Sequence, residues 1–119
     1  MPLNCRIKKK NKIIAEGNHL PYELKDNILE FEWDEMKHFL DLDNMEFTRE
    51  NDDYSFFLSV RNQTSEIRLK KEQYDLQVQV EYATLMKMKN TINLKYFIET
   101  DDEETEVCIE LEGENDDNE

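Results

Sequence analysis

The clearest pattern in the chain is an alternation of apolar and polar positions. It runs through the segment 74–88, where the even positions are apolar or nearly so and most odd positions are polar. An extended strand shows this period of two when one face is buried and the other is in water. The same alternation returns over 92–98 and 107–111. The second half of the chain is therefore predicted to form antiparallel strands.

Shorter alternating segments predict strands in the first half of the chain as well. They cover 3–9, 12–16, 28–33, 45–49, 54–60 and 66–71, with a turn near Lys10 and Asn11. The segment 17–27 contains Pro21 and an Asp-Asn pair, which are typical of a loop. A four-residue hairpin loop is predicted at 50–53, since that length is common between paired strands. Glycine is scarce, so Asn and Asp are expected to form the turns.

The segment 74–88 is too long for a flat strand, because it would extend about 50 Å at about 3.3 Å per residue. A bend is predicted at Ala83 and Thr84, since Leu85 breaks the alternation there. Eight or more meandering strands favour closure into a barrel, which removes exposed sheet edges. The fold class expected is all-β, an antiparallel up-and-down barrel of about eight to ten strands.

One segment, 34–41, fits two structures. Met36, Phe39 and Leu40 have helical spacing, with Asp34 as a possible N-cap, so a short helix remains an alternative. As a strand, the segment would place Met36, His38 and Leu40 on one face. The strand is favoured because the neighbouring segments are strands.

Composition and charge define one folded domain. The chain is 38% apolar and 37% charged, with a net charge of −14, which is a composition that disordered chains often share. Its regular alternation and 10% aromatic content argue instead for a folded barrel. The domain is predicted over 1–112. The segment 113–119 contains no apolar residue and is predicted to be an acidic disordered tail.

Charge is polarised between the two ends of the chain. Residues 1–15 contain five basic and no acidic residues, whereas residues 96–119 contain twelve acidic and no basic residues. The acidic run is a candidate surface for a basic protein partner, through Asp101, Asp102, Glu103 and Glu104. Alternatively, the two ends are strand neighbours whose charges offset each other. Nucleic acid is not expected as a partner, because the net charge repels phosphate.

The cysteines and the apolar segments bear on localisation. Cys5 has the inward parity of Leu3 and Ile7, whereas Cys108 has outward parity, so free thiols are expected rather than a disulfide. No apolar segment follows the basic N-terminal residues, and none approaches the length of a membrane span. The expectation is a cytoplasmic protein without membrane contact.

Four residues are candidates for ligand binding. Arg49 continues the inward parity of Phe47 to a strand end, which predicts a guanidinium at the barrel mouth. The predicted hairpin places Arg49 opposite Tyr54, within reach of a cation–π contact. Alternatively, Arg49 pairs with an acid of the loop: Glu50, Asp52 or Asp53. Trp33 and Tyr82 could line a pocket, although inward aromatic residues are more commonly core residues.

The order of these features resembles a family of small bacterial calycin-like β-barrels, the YwiB-like proteins. The matching segments are Met45 to Arg49, the hairpin to Tyr54, Tyr74 to Val78, and Ile92 to Ile98. The resemblance covers roughly residues 28–111. It implies a calycin fold with eight to ten strands, and it implies no activity.

No motif of a catalytic, cofactor or metal site stands out. A nucleophile elbow and a phosphate-binding loop are both missing, and His19 and His38 have no ligand spacing around them. A non-catalytic role without cofactor or metal is therefore expected. The first hypothesis is an acidic protein-interaction or regulatory module. The alternative is a binder of a small apolar or anionic ligand in the barrel mouth.

Overall fold

The structure, a computed structural model, describes residues 1–112, and these form a closed antiparallel barrel. Each strand pairs with its neighbours in sequence, and β1 closes the barrel by pairing with β10. The prediction of an all-β up-and-down barrel is confirmed. The predicted tail, 113–119, lies outside the described residues. The strands are β1 Pro2–Lys9, β2 Lys12–Lys25, β3 Ile28–Trp33, β4 Met36–Asp41, β5 Glu46–Glu50, β6 Tyr54–Ser59, β7 Thr64–Leu69, β8 Tyr74–Met88, β9 Thr91–Ile98 and β10 Thr105–Leu111.

Strand β2 extends through 17–25, so the predicted loop is wrong there, whereas Asp26 and Asn27 do form a turn. β2 pairs with β1 as far as Pro21 and with β3 from Tyr22 onward. A register shift lies between the pairs Leu3–Leu20 and Cys5–Gly17, which gives β2 one extra residue. His19 in this bulge has a φ of 57°. The turn-forming residues of the segment therefore mark a bulge inside a strand.

Strand β8 also changes partner, and its irregularity reverses the predicted orientation of its second half. The pairs Val80–Ile98 and Tyr82–Phe97 leave one β8 residue, Glu81, unmatched. Beyond this bulge the inward positions are odd, because one inserted residue exchanges the two faces of a strand. Ala83 is accordingly 6% exposed and Tyr82 40% exposed. The bend predicted at 83–84 is misplaced, and the inward positions predicted for Tyr82, Met86 and Met88 are wrong.

The segment 34–41 is the β3–β4 turn followed by strand β4, as favoured, and no helix occurs within residues 1–112. Asp34 and Glu35 have φ values of 58° and 60°. Two positive φ values in a two-residue connection match the right-handed twist of the paired strands. The turns at 10–11 and 26–27 share this geometry, again without glycine.

The core fills the barrel with buried aliphatic and aromatic side chains from every strand except β2 and β7, whose buried residues are Gly17 and Ser65. Cys5 belongs to this core and is fully buried, whereas Cys108 is half-buried, and both are free thiols. The inward parity predicted for Cys5 is confirmed. The largest fully buried side chains are Phe47, Leu3, Leu29, Leu40, Leu58, Ile92, Leu94, Ile109 and Leu111.

Candidate ligand site at the barrel mouth

A pocket opens at one end of the barrel, the end that carries the β1–β2, β3–β4, β5–β6, β7–β8 and β9–β10 turns. Alternate turns of an up-and-down barrel lie at the same end, so these five share one mouth. The pocket has a volume of about 350 Å³, and we call it the mouth pocket. Its walls are mainly apolar and aromatic, from Ile7, Ile14, Tyr54, Phe56, Ile67, Tyr96 and Ile98. Its charged lining residues are Lys9, Arg49 and Asp101.

Arg49 lies on β5 between two inward-facing neighbours, His38 on β4 and Phe56 on β6. Its guanidinium carbon is 5.8 Å from the centroid of the Phe56 ring, a cation–π geometry. The predicted position opposite Tyr54 is wrong, because β5 continues to Glu50 and the connecting loop has only the residues 51–53. Tyr54 nevertheless lines the same pocket.

The guanidinium of Arg49 has an unused hydrogen-bond donor. Its Nε atom is buried and has no hydrogen-bond partner. Within residues 1–112 the neighbouring acids pair elsewhere: Glu50 with Lys70 at 3.9 Å, and Asp53 with Lys71 at 3.4 Å. Arg49 forms no ion pair with any described residue, Asp52 included, so the alternative prediction of a pair with an acid of its own loop is wrong. A buried donor without an acceptor costs about 1–3 kcal/mol, and more when it is charged. Because Arg49 lines the mouth pocket, an anion there would lie close to its positive charge.

His38 lies beside Arg49 in the barrel interior and is 3% exposed. Its ring stacks on Phe31 with centroids 4.8 Å apart, and the Trp33 ring is 5.8 Å away. Nδ1 has no hydrogen-bond partner. Burial, together with the positive charge of Arg49, lowers the pKa of His38 from 6.5 to about 4. The imidazole is therefore neutral near pH 7.

The rim of the mouth pocket carries an ion pair and two phenols. Lys9 Nζ lies 3.8 Å from Asp101 Oδ2, and both side chains are about a quarter exposed. The Tyr54 hydroxyl is 4.0 Å from the sulfur of Met36, a weak acceptor. Burial raises the pKa of Tyr96, while nearby Arg49 opposes the rise. Tyr96 is thus a neutral phenol near pH 7.

The structure brings two of the four predicted ligand residues, Arg49 and Tyr54, into one pocket. Trp33 points into the barrel but packs against His38 and Gly17 instead of lining the pocket. Tyr82 lies on the outer surface, with its ring 5.9 Å from Phe97 and its hydroxyl donating to Glu104. Tyr82 faces outward because the β8 bulge exchanges the two faces of the strand.

Sequence reasoning missed Lys9 and did not recognise His38 as part of the surroundings of Arg49. The signal for Lys9 was available, because it shares the inward parity of Cys5 and Ile7. His38 was on the inward face of the strand interpretation. Its proximity to Arg49 depends on the pairing of β4 with β5, which the pattern of one strand does not show.

Two of the four predicted partner-binding acids, Asp101 and Glu103, pair with the first hairpin. Asp101 pairs with Lys9, Glu103 pairs with Lys10 at 3.3 Å, and Glu104 accepts the Tyr82 hydroxyl. Asp102 forms no ion pair with another described residue. Basic and acidic ends of the chain thus offset each other across the closing strands, β1 and β10.

Residues 1–112 contain no group of three or more His, Cys, Asp or Glu side chains able to hold a metal ion. Within the same residues, no helix has the length and apolar character needed to cross a membrane.

In comparisons with known proteins, no family model matches the chain, and neither a curated protein nor a solved structure matches it. The resemblance to the YwiB-like proteins therefore stays a prediction.

Proposed function

We propose that this barrel binds a small organic anion with a compact apolar body in the mouth pocket, without catalysis. The observation that carries the proposal is the buried Nε of Arg49, which lacks an acceptor and belongs to a side chain that lines a 350 Å³ cavity. That volume lies at the lower end of ligand pockets, which range over roughly 300–1,000 Å³. Guanidinium groups bind carboxylates and similar oxyanions through charge-assisted hydrogen bonds.

The charge and polarity of the lining favour a hydrophobic monoanion. Lys9 and Arg49 against Asp101 leave the pocket with one net positive charge, which a single negative charge would neutralise. The aromatic and isoleucine walls favour an apolar body, since burying such surface is worth about 25 cal/mol per Å². The net charge of the whole protein, −14, repels anions at long range, so recognition depends on contacts inside the pocket.

The acidic-interaction hypothesis has less support. Three of its four acids contact Lys9, Lys10 and Tyr82 of the same chain, which reduces their availability to a basic partner. Free thiols at Cys5 and Cys108 support the reducing cytoplasm as its compartment.

The test compares two probes of nearly the same shape, benzenesulfonate and neutral benzenesulfonamide, by isothermal titration calorimetry. Benzenesulfonate should bind saturably and the sulfonamide much more weakly. Arg49→Gln should weaken sulfonate binding roughly ten- to a hundredfold, the loss of one charge-assisted hydrogen bond. Arg68→Gln is the matched control, because Arg68 pairs with Asp75 on the exposed surface. Equal binding of both probes, or an unaffected Arg49→Gln variant, would contradict the proposal.

A further inference from the structure

The inference concerns His38 and rests on the proposed function. His38 and Arg49 are directly opposite on neighbouring strands and both point into the barrel. Nδ1 of the His38 ring and Nε of the Arg49 guanidinium are both buried, and neither has a hydrogen-bond partner. Two adjacent nitrogen groups in the barrel interior therefore lack hydrogen-bond partners among the described residues.

The surroundings of His38 contain few charges. Arg49 acts on it from β5, and Asp34 acts from the β3–β4 turn with the opposite sign. The backbone of Met36, on the same strand, favours the protonated ring. The remaining close groups are the rings of Phe31, Trp33 and Phe47. Arg49 is therefore the charged neighbour that most strongly opposes a proton on the imidazole.

An anion on Arg49 would change this balance. It would neutralise the guanidinium and add a negative charge near the imidazole, and at low dielectric both effects favour imidazolium. We propose that anion binding in the mouth pocket is coupled to protonation of His38, so that the site takes up an anion together with a proton.

The direction of the effect follows from linkage. In the empty barrel the pKa of His38 is about 4, and a bound anion raises it. At pH values between the His38 pKa of the empty barrel and that of the complex, anion binding takes up a proton. The affinity for the anion then increases as pH falls, by up to about tenfold per pH unit. At higher pH, His38 is neutral in both states and affinity no longer depends on it.

The experiment titrates the whole chain with benzenesulfonate, which keeps one negative charge throughout, from acidic to neutral pH. Calorimetry in two buffers of different ionisation enthalpy gives the protons taken up. His38→Gln should abolish the uptake and the pH dependence. His19→Gln is the control, since the His19 side chain is 78% exposed and pairs with Glu112. NMR titration of the His38 ring, with and without sulfonate, measures the same coupling without a variant.

The outcomes separate this inference from the proposed function. Proton uptake that His38→Gln removes, with a raised NMR pKa in the complex, would support the coupling. Sulfonate binding without proton uptake and without a shift of the His38 titration would overturn the coupling but leave ligand binding standing. Absence of sulfonate binding at every pH would overturn both.

Discussion

The side-chain amide of Gln63 hydrogen-bonds both backbone groups of Ala83: Nε2 donates to the carbonyl oxygen and Oε1 accepts from the amide nitrogen, each at 3.0 Å. Pairing between β7 and β8 ends at Thr64 and Gln79, and β8 then continues alongside β9. The Gln63 side chain thus satisfies the backbone of β8 beyond the point where strand β7 begins. We call this junction, where β7–β8 backbone pairing stops and Gln63 bonds Ala83, the seam of the barrel.

Shortening this side chain should destabilise the barrel. Gln63→Asn keeps the amide and tolerates the local φ of 57°, but it is one methylene too short to reach both groups of Ala83. Urea unfolding should show a loss of about 1–3 kcal/mol, the cost of unsatisfied buried polar groups. The control is Gln77→Asn, whose side chain bonds Glu66 on the outer surface. Equal losses in the two variants would argue against a role for the seam.

The burial of neutral His38 should make stability depend on pH. Its folded pKa, about 4, lies below its ordinary 6.5, so the unfolded chain binds the proton more readily. The contribution of neutral His38 to the free energy of unfolding is fully present above pH 6.5. About 3 kcal/mol of it is lost as pH falls toward 4. Unfolding free energies measured across this range should fall less steeply in His38→Gln than in the parent protein. His19→Gln should follow the parent curve.

Gly17 permits a close approach of Trp33. A Cβ atom at position 17 would lie 2.6 Å from the indole Nε1, far inside contact distance. Gly17→Ala should therefore cost about 1–3 kcal/mol through overpacking. A Trp33→Phe background removes the indole contacts and leaves the one with Leu20 Cδ1 at 2.9 Å, so the same substitution should cost less. A double-mutant cycle by chemical denaturation measures this coupling, and strictly additive costs would contradict it.

The β3–β4 turn offers a stabilising substitution. Glu35 has a φ of 60°, a region that strains residues with a Cβ atom. Glu35→Gly should raise the free energy of unfolding by about 1 kcal/mol by relieving that strain. The matched control is Glu32→Gly in strand β3, where glycine should lower stability. Thermal unfolding of the two variants should therefore move in opposite directions.

Much of the fold could be predicted from alternation. The strand segments from 28 onward, the strand identity of 36–41 and the inward parity of Cys5 all agree with the structure. The errors lie where strands are irregular. In β2, Asn18 and Pro21 mark a bulge and a change of partner inside a strand. In β8, the extra residue is Glu81, but the alternation is visibly broken only at Leu85, so the pattern placed the irregularity too late in the strand.

The candidate site was predictable only in part. The sequence placed Arg49 inward at a strand end, because the parity of Phe47 continues through it. It could not show that the loop acids pair with Lys70 and Lys71 instead, since those lysines come from a different hairpin. Nor could it place His38 beside Arg49, because that contact depends on cross-strand register.

The sequence by itself determined every strand segment except the second half of β2 and, up to the first bulge, which side chains of each strand face inward. That information is local, because burial of one face imposes a period of two on the chain. Tertiary structure decided the register, the bulges and the closure of the barrel, which depend on contacts between distant segments. Those contacts leave Arg49 without an acceptor beside a pocket and turn Tyr82 outward to Glu104.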